Sequence, residues 1–370
     1  MAKVHDIAVL GATAAGYVAA AALARHKHTV VVVDAPAGRT ESPLADWIPS
    51  DLPADCELLR KAKPALGVPF KSMVFHSADL TRLAEYTSRG TLGYLLRSEL
   101  LLEKLDALAR KGGVEKVKLE QPPRLEMRET AVRLHGPREL FSQLLLIAQD
   151  NPAEVLANLA LPVRMIPPER MTVCGLDVPL SRGRGAKAAP ALHVVAFGGT
   201  DMMGVFFAVD GLMHVRIVSA VFAPPATIDS LVKLISGLQS KGLIEGRLEL
   251  NKAKAAIWHP PGGMALELET HLAKRTLLLG TAGGFASATT GQTLDPSVRS
   301  ALVAADVAGK ALHSRKVQET LWEYKNQWRA TLAERIRPPG TSLQMLLPMV
   351  LSNKVIMGKF VRAFLYGQSL

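Results

Sequence analysis

Cysteine is nearly absent from this 370-residue chain, which holds only Cys56 and Cys174. Two thiols build neither a disulfide framework nor a zinc site, and these form no Cys-x-x-Cys pair, so the sequence points to a reducing compartment and buried thiols. Aromatic residues are scarce at 5%, which leaves few stacking platforms for single-stranded nucleic acid. The net charge of +11 favours anionic partners in the abstract. Lys and Arg are scattered, however, and the one short basic run, Arg182 to Gly185 with Lys187, lies among Gly, Ala and Pro as a loop. Nucleic acid is therefore not an expected partner. No uninterrupted apolar stretch reaches the ~18–20 residues of a membrane span. Lys3, His5 and Asp6 precede only the short apolar run Ile7 to Leu10, which is no secretion signal. A cytoplasmic protein is expected.

What the chain does have is 48% hydrophobic and 21% charged residues, enough for a large core and for more than one domain. Its first segment reads as strand, tight turn, helix, strand. Ile7 to Leu10 and Val30 to Val33 are the continuous apolar runs of buried parallel strands, and the helix between them carries Ala20 and Ala24 for close packing. Gly11 allows the turn, Gly16 lets the helix approach the strand, and the turn between them holds Thr13 and Ala15. A helix N-terminus so placed offers free N–H groups to a pyrophosphate. Asp34 closes the unit near the ~20-residue distance expected of a carboxylate that accepts from an adenosine ribose. Thr13 stands where the middle glycine of G-x-G-x-x-G belongs and sets a side chain where backbone normally meets phosphate. A βαβ unit that binds no dinucleotide is the alternative at this point.

Gly280 to Ala305, Gly-Thr-Ala-Gly-Gly-Phe-Ala-Ser-Ala-Thr-Thr-Gly-Gln-Thr-Leu-Asp-Pro-Ser-Val-Arg-Ser-Ala-Leu-Val-Ala-Ala, follows the apolar strand Thr276 to Leu279. It resembles the second flavin motif of the geranylgeranyl-reductase and aromatic-hydroxylase superfamily of FAD-dependent oxidoreductases. His259-Pro-Pro-Gly-Gly263 is similar to the turn before that strand. Tyr94 to Arg97, leading into a helix over Leu101 to Ala109, resembles the family's arginine, and Leu144 to Asp150 its strand ending in Ala-Asp-Gly. The resemblance implies an α/β fold, with a Rossmann-like FAD-binding domain (1–160 and 265–320), an antiparallel-sheet substrate domain (161–264) and a C-terminal helical region (321–370). It implies FAD as cofactor, NAD(P)H as a candidate reductant, and Gly11, Thr13, Ala15, Gly16, Asp34, Arg97, Asp150, Gly280, Thr281, Gly284, Gly291, Thr293 and Leu294 as the cofactor-binding set. Four of the family's positions depart: Thr13, Thr281 and Thr293 replace Gly, Asp and Gly, and Asn151 replaces Gly. A hydroxyl at 281 makes a neutral bond, weaker than the charge-assisted bond of a carboxylate.

From Leu192 to Phe222 apolar and polar residues alternate, with Gly-Gly-Thr-Asp and Asp-Gly as turns, and Thr227 to Lys241 has helical spacing. These resemble the family's substrate-domain sheet, which lies over the flavin and floors an apolar pocket. His193, His214 and His259 form no metal-ligand pair, so core or surface roles are expected and no metal site. His259, beside the Pro-Pro-Gly-Gly turn, is the one candidate proton donor. The apolar tail after Pro339 reads either as helices capping the second domain or, with Lys354, Lys359 and Arg362, as a peripheral membrane contact. The expected activity is flavin-dependent reduction or monooxygenation of a small apolar, isoprenoid or lipid substrate. The alternative is a flavin-less carrier or scaffold, and an NAD(P)-only reductase lacks a second nucleotide motif.

Overall fold

The computed structural model describes residues 4–37, 41–63, 66–137, 139–150, 159, 170–179, 189–197, 201–243, 254–338, 346 and 349–368. The basic run at 182–187, Asn151 and the Gly-Gly-Thr part of the first hairpin turn lie outside the described residues.

The two apolar runs of the opening segment are strands β1 (Val4–Leu10) and β2 (Val30–Asp34), paired in parallel and joined by α1 (Ala14–Arg25). They lie inside an eight-stranded sheet with β8 (Glu115–Lys118), β9 (Arg124–Met127), β10 (Val132–His135), β11 (Leu140–Ile147), β17 (Leu272–Ala273) and β18 (Thr276–Leu278). Its main path runs β17-β18-β11-β1-β2-β8, with β9 and β10 as a hairpin branch on β11. Residues far apart in sequence thus meet: β11 pairs in parallel with β1 on one side and β18 on the other. Small residues make this tight. A Cβ on Gly16 would lie 2.0 Å from the Gly11 carbonyl oxygen, and one on Gly11 (φ 123°) would lie 2.5 Å from the Gln149 nitrogen. These glycines are demanded by the strand-to-helix approach itself. Against α1 packs α6 (Leu294–Leu312), whose buried Ala301, Ala304 and Ala308 meet Ala15, Ala19 and Ala20. Outside it α7 (Val317–Ile336) buries Tyr324 and Trp328 on Phe285 and His271.

The alternating segment forms the second sheet, in the order β16 (Ala256–Trp258), β12 (Val173–Pro179), β15 (Leu212–Ser219), β14 (Met202–Val209), β13 (Ala191–Phe197), β5 (Ser72–His76), β6 (Leu83–Thr87). β14 and β15 turn at Asp210 (φ 48°) and Gly211 (φ 75°), the left-handed pair of a type I′ hairpin. One face is covered by α5 (Ile228–Ser240) through Leu231, Leu234, Ile235 and Leu238. The other is covered by α8 (Lys354–Tyr366) and a small sheet of β3 (Ala45–Pro49), β7 (Gly93–Arg97) and β4 (Val68–Phe70). β5 and β6 sit within the stretch 1–160 assigned above to the nucleotide domain, yet they extend the second sheet through the parallel pairing of β5 with β13. The helical region 321–370 is likewise divided: α7 belongs to the first core and α8 to the second.

The apolar face of α8 turns inward. Phe364 stacks on Trp47 at 5.9 Å and Phe360 meets Phe75 edge-on at 5.2 Å, while Lys354, Val355, Lys359 and Arg362 face outward. The capping reading thus accounts for the hydrophobicity of α8, while 339–345 and 347–348 lie outside the described residues. No helix of the described residues is long and apolar enough to cross a membrane.

Candidate cofactor crevice

A cleft of about 500 Å³ opens where β1 passes into α1, beyond the carboxyl ends of the parallel strands, which is where open α/β sheets bind their ligands. Thr13 and Ala14 form one wall, Thr293 and Leu294 another, and Glu41, Ser42, Asp46, Ser98, Glu99 and Asp150 close it. Two helix N-termini, those of α1 and α6, therefore converge on one space. The first amides of a helix have no intrahelical partner and carry the positive end of its dipole. At α1 one is already taken: Thr13 caps the helix by accepting from the Gly16 amide at 3.1 Å, and its own hydroxyl donates to the Ala148 carbonyl at 2.9 Å. Instead of projecting into the groove with its hydroxyl unsatisfied, Thr13 is bound to the fold on both sides. α6 has no side-chain cap from Thr293, but its Asp295 amide donates to the Gln292 side chain at 3.1 Å.

The remaining predicted residues divide. Asp150 lines the cleft and accepts the Thr281 hydroxyl at 2.6 Å, so the threonine that replaces the family's aspartate is spent on positioning another aspartate. Asp34 ends β2, as expected, and pairs with Lys116 at 3.2 Å, which also donates to the Tyr17 hydroxyl. Arg97 precedes α4 (Ser98–Lys111) and lies 3.7 Å from Glu99, its side chain exposed by 37%. Ala15 sits in the first turn of α1 against Gly280, where a Cβ would come within 3.1 Å of it. Gly284 (φ 76°) and Gly291 (φ 64°) do not border the cleft. They let the chain pass the Met264–Leu266 turn and the Val173 and Pro260 side chains. His259 does not border it either: its Nδ1 faces the Thr172 hydroxyl at 3.4 Å. Both cysteines are buried, and burial pushes the thiols up, Cys174 to about 11.

Three acidic residues were not singled out by sequence: Glu41, Asp46 and Asp177. Burial, together with the Asp150 and Asp46 carboxylates, pushes the Glu41 carboxyl well above its usual range, and the Ser297 hydroxyl offsets this only in part. Its Oε1 is sealed from solvent on the side of the Ser297 hydroxyl. Asp46 is tied to a polar chain that runs into the second sheet. Arg216 lies 3.3 Å from it, between the rings of Trp47 (4.8 Å) and Trp258 (5.4 Å), and donates to the Ala45 carbonyl. Burial holds His214 down at about 4, so the ring is neutral; its Nε2 accepts from Arg216 Nε at 2.7 Å, which leaves Nδ1–H to donate to Asp177. Nothing in the local sequence announces this chain, because its members come from three strands far apart.

No known protein-family profile matches the chain, and no curated protein matches it. Solved structures do. One is a geranylgeranyl bacteriochlorophyll reductase-like protein from Thermoplasma acidophilum, at 13% identity and a TM-score of 0.75 over 100% of this chain and 98% of that one. The chain has the fold of the FAD-dependent oxidoreductases. A variant of HpxO from Klebsiella pneumoniae complexed with FAD aligns at 15% identity and 0.66 over 99% and 95% of the two chains. A flavoprotein/dehydrogenase from Cytophaga hutchinsonii aligns at 12% and 0.67 over 90% and 85%.

The crevice suits much of such a cofactor. Two helix N-termini are complementary to phosphate oxygens and to a ring carbonyl, and the Asp150 carboxylate in its lining is complementary to a sugar hydroxyl, while Asp34 lies outside the lining in its pair with Lys116. It departs in charge: among the described residues its lining includes four carboxylates and no Lys, Arg or His.

Proposed function

We propose that this protein is a flavin-dependent oxidoreductase that takes FAD in the crevice between the N-termini of α1 and α6. The observation that supports this best is that convergence of two helix ends on one ligand-sized cleft, since a βαβ unit kept for folding alone does not need the second helix end there. In this reading the amides of the first turn of α1 face the pyrophosphate, Asp34 the adenosine ribose, Asp150 a hydroxyl of the chain that leads to the ring, and the start of α6 the ring carbonyl. A bound flavin supplies hydride or oxygen transfer, and the protein's part is orientation, exclusion of water and tuning of the ring. Leu101, Leu102 and Leu294 give the cleft its apolar side. Beside it, Leu44 joins the small buried cluster of Met171, Val173, Val218 and Trp258 at the end of the second sheet. The substrate reading is a small apolar molecule, isoprenoid or lipid, presented past Leu44, with NAD(P)H as reductant. The broad faces of the sheet are already covered by α5 and α8, so this junction replaces the apolar floor expected from the sequence. The outward basic face of α8, with Lys354, Lys359 and Arg362, suits loose contact with an anionic lipid surface that holds such a substrate.

A flavin-less carrier is the second reading, and the carboxylate-rich lining, without a cation among the described residues, favours it. One measurement separates them: the near-ultraviolet and visible absorbance of the purified protein before and after incubation with FAD and desalting. A retained flavin band is expected. A protein that stays colourless after incubation refutes the oxidoreductase reading.

A further inference from the structure

A second cavity, of about 710 Å³, runs between α1, α4, α6, the helix α3 (Glu57–Lys61) and the end of α2 (Leu52–Asp55). Its volume lies within the ~300–1,000 Å³ of small-molecule sites, and among the described residues it shares no lining residue with the crevice. The two lie at opposite ends of the same helices. From Leu294, at the crevice, to Leu302, in this groove, α6 rises about 12 Å. The floor is apolar: Leu58, Leu108 and Leu302 are half-buried in it, and Ala21 and Ala22 keep the surface of α1 low between them. Three helices then follow their apolar residues with a cation one turn later: Ala21 and Ala22 with Arg25, Leu58 with Lys61, and Leu108 with Lys111. Residues three or four apart share a helix face, so on each helix the floor passes into a basic rim. Glu57 is the common partner of Arg25 and of Lys61, the latter at 2.7 Å, while Asp55 is held by Arg299 at 2.5 Å. Among the described lining residues, Glu57 thus answers three cations. The negative helix ends are closed by backbone instead: the last turns of α1, α3 and α4 receive the amides of Lys27, Ala62 and Gly112.

We propose that this groove binds a fatty-acid anion, with the alkyl chain along Leu58, Leu108, Leu302 and the two alanines and the carboxylate at Lys61 and Lys111. The proposal stands apart from the flavin reading, since the crevice contributes nothing to the site. The floor selects a chain over a compact anion, and the rim selects a charged head over a bare hydrocarbon. Chain burial supplies most of the affinity, about fourfold per methylene. The head group supplies orientation: a carboxylate takes charge-assisted bonds from lysines that solvent already reaches, so little desolvation opposes them. Lys61 and Lys111 are both exposed, and Arg25 keeps Glu57. A ligand seated here touches α1, α4 and α6, the helices whose first turns border the crevice, but stands clear of any molecule reacting there.

The test is calorimetric titration of the full chain with octanoate, decanoate and dodecanoate below their micelle concentrations, with decan-1-ol as the uncharged chain and acetate as the anion without one. In wild type the affinity is expected to rise about fourfold for each added methylene, with no measurable binding of acetate. In K61Q/K111Q the decanoate affinity is expected to fall about tenfold while that of decan-1-ol stays level. Ala22→Trp fills the floor and is expected to weaken acid and alcohol alike. Should that variant fold poorly, the melting temperature of the wild type is a readout that needs none: decanoate raises it in proportion to its affinity and acetate leaves it unmoved. No binding of any of the three acids, no gain with chain length, or a decanoate affinity equal in wild type and K61Q/K111Q overturns the proposal. Sedimentation velocity supplies the remaining outcome: a wild-type dimer that K61Q/K111Q dissociates gives the groove to a second copy of the chain and overturns it as well.

Discussion

Replacing Arg216 by Met removes the charge that balances a buried carboxylate and leaves two rings with nothing between them. Arg216 and Asp46 are exposed by only 1% and 2%, and the guanidinium also serves the His214 ring and the Ala45 carbonyl. Burial raises the Asp46 carboxyl despite the adjacent Arg216, and lowers Arg216 despite Asp46 and Asp177. Each partner therefore pays more in desolvation than the other returns, which is the regime in which breaking the pair is severe and removing both members is mild. The R216M variant is expected to lose about 3–5 kcal/mol, the usual result of stranding one buried charge. Asn at position 46 keeps the bond from the Trp47 amide, 2.9 Å long in the wild type, and needs no cation. R216M/D46N should therefore recover most of that loss, leaving a deficit of about 1–2 kcal/mol for the stacking and the His214 bond. Thermal and urea denaturation of the two single variants, the double variant and the wild type close the cycle. If R216M costs less than about 1 kcal/mol, or the double variant is no better than the sum of the singles, the pair is not the balanced buried unit described here.

Gly16→Ala places a Cβ 2.0 Å from a backbone oxygen and is expected to abolish soluble folded protein, while Gly90→Ala, with nothing within 4 Å, should express and melt as wild type; equal behaviour of the two refutes the packing argument for α1. Thr13→Ala should cost about 1–2 kcal/mol through loss of the cap and of the bond to Ala148, with Thr13→Ser close to wild type in melting temperature. Burial holds His271 down at about 4. Its neutral ring contributes stability that is full above the unfolded-state value near 6.5 and is lost as pH falls toward 4. Relative to H271F, wild type should lose about 2 kcal/mol more between pH 7 and pH 5 in chemical denaturation, and parallel pH curves would count against it. Phe360→Ala empties a fully buried site against Phe75 and should cost about 3–5 kcal/mol, seen first as protease sensitivity of α8.

The parts of the fold that could be read from sequence were those whose signal is local. A parallel strand buried on both faces shows as an apolar run, so β1, β2, β11 and β18 stood out, and the I′ turn at Asp210-Gly211 declares itself by residue type. The helix α5 begins at the Thr227 that opens the helical spacing, with the Ser230 amide on its hydroxyl. The entry of β5 and β6 into the second sheet was hidden, because a parallel pairing such as Val74 with His193 leaves no mark near either partner. The crevice followed the same rule. Thr13, Asp150, Thr293 and Leu294 belong to motifs with fixed spacing and were found, whereas Glu41 sits in a loop with no periodicity and is defined only by the carboxylates that fold around it.

The substituted positions also change meaning once their partners are known. Taken singly, Thr13 and Thr293 read as a groove narrowed against a cofactor and Thr281 as a weakened contact with it. In the folded protein, Thr13 bonds to Ala148 and Gly16 and Thr281 bonds to Asp150, so two of the three have exchanged a contact with a ligand for a contact within the wall of the site. Such a wall is better fixed and less able to follow a ligand, and it offers one fewer free amide at α1. In the flavin reading proposed above, affinity then has to come from the amides that remain and from the hydroxyl-accepting carboxylates.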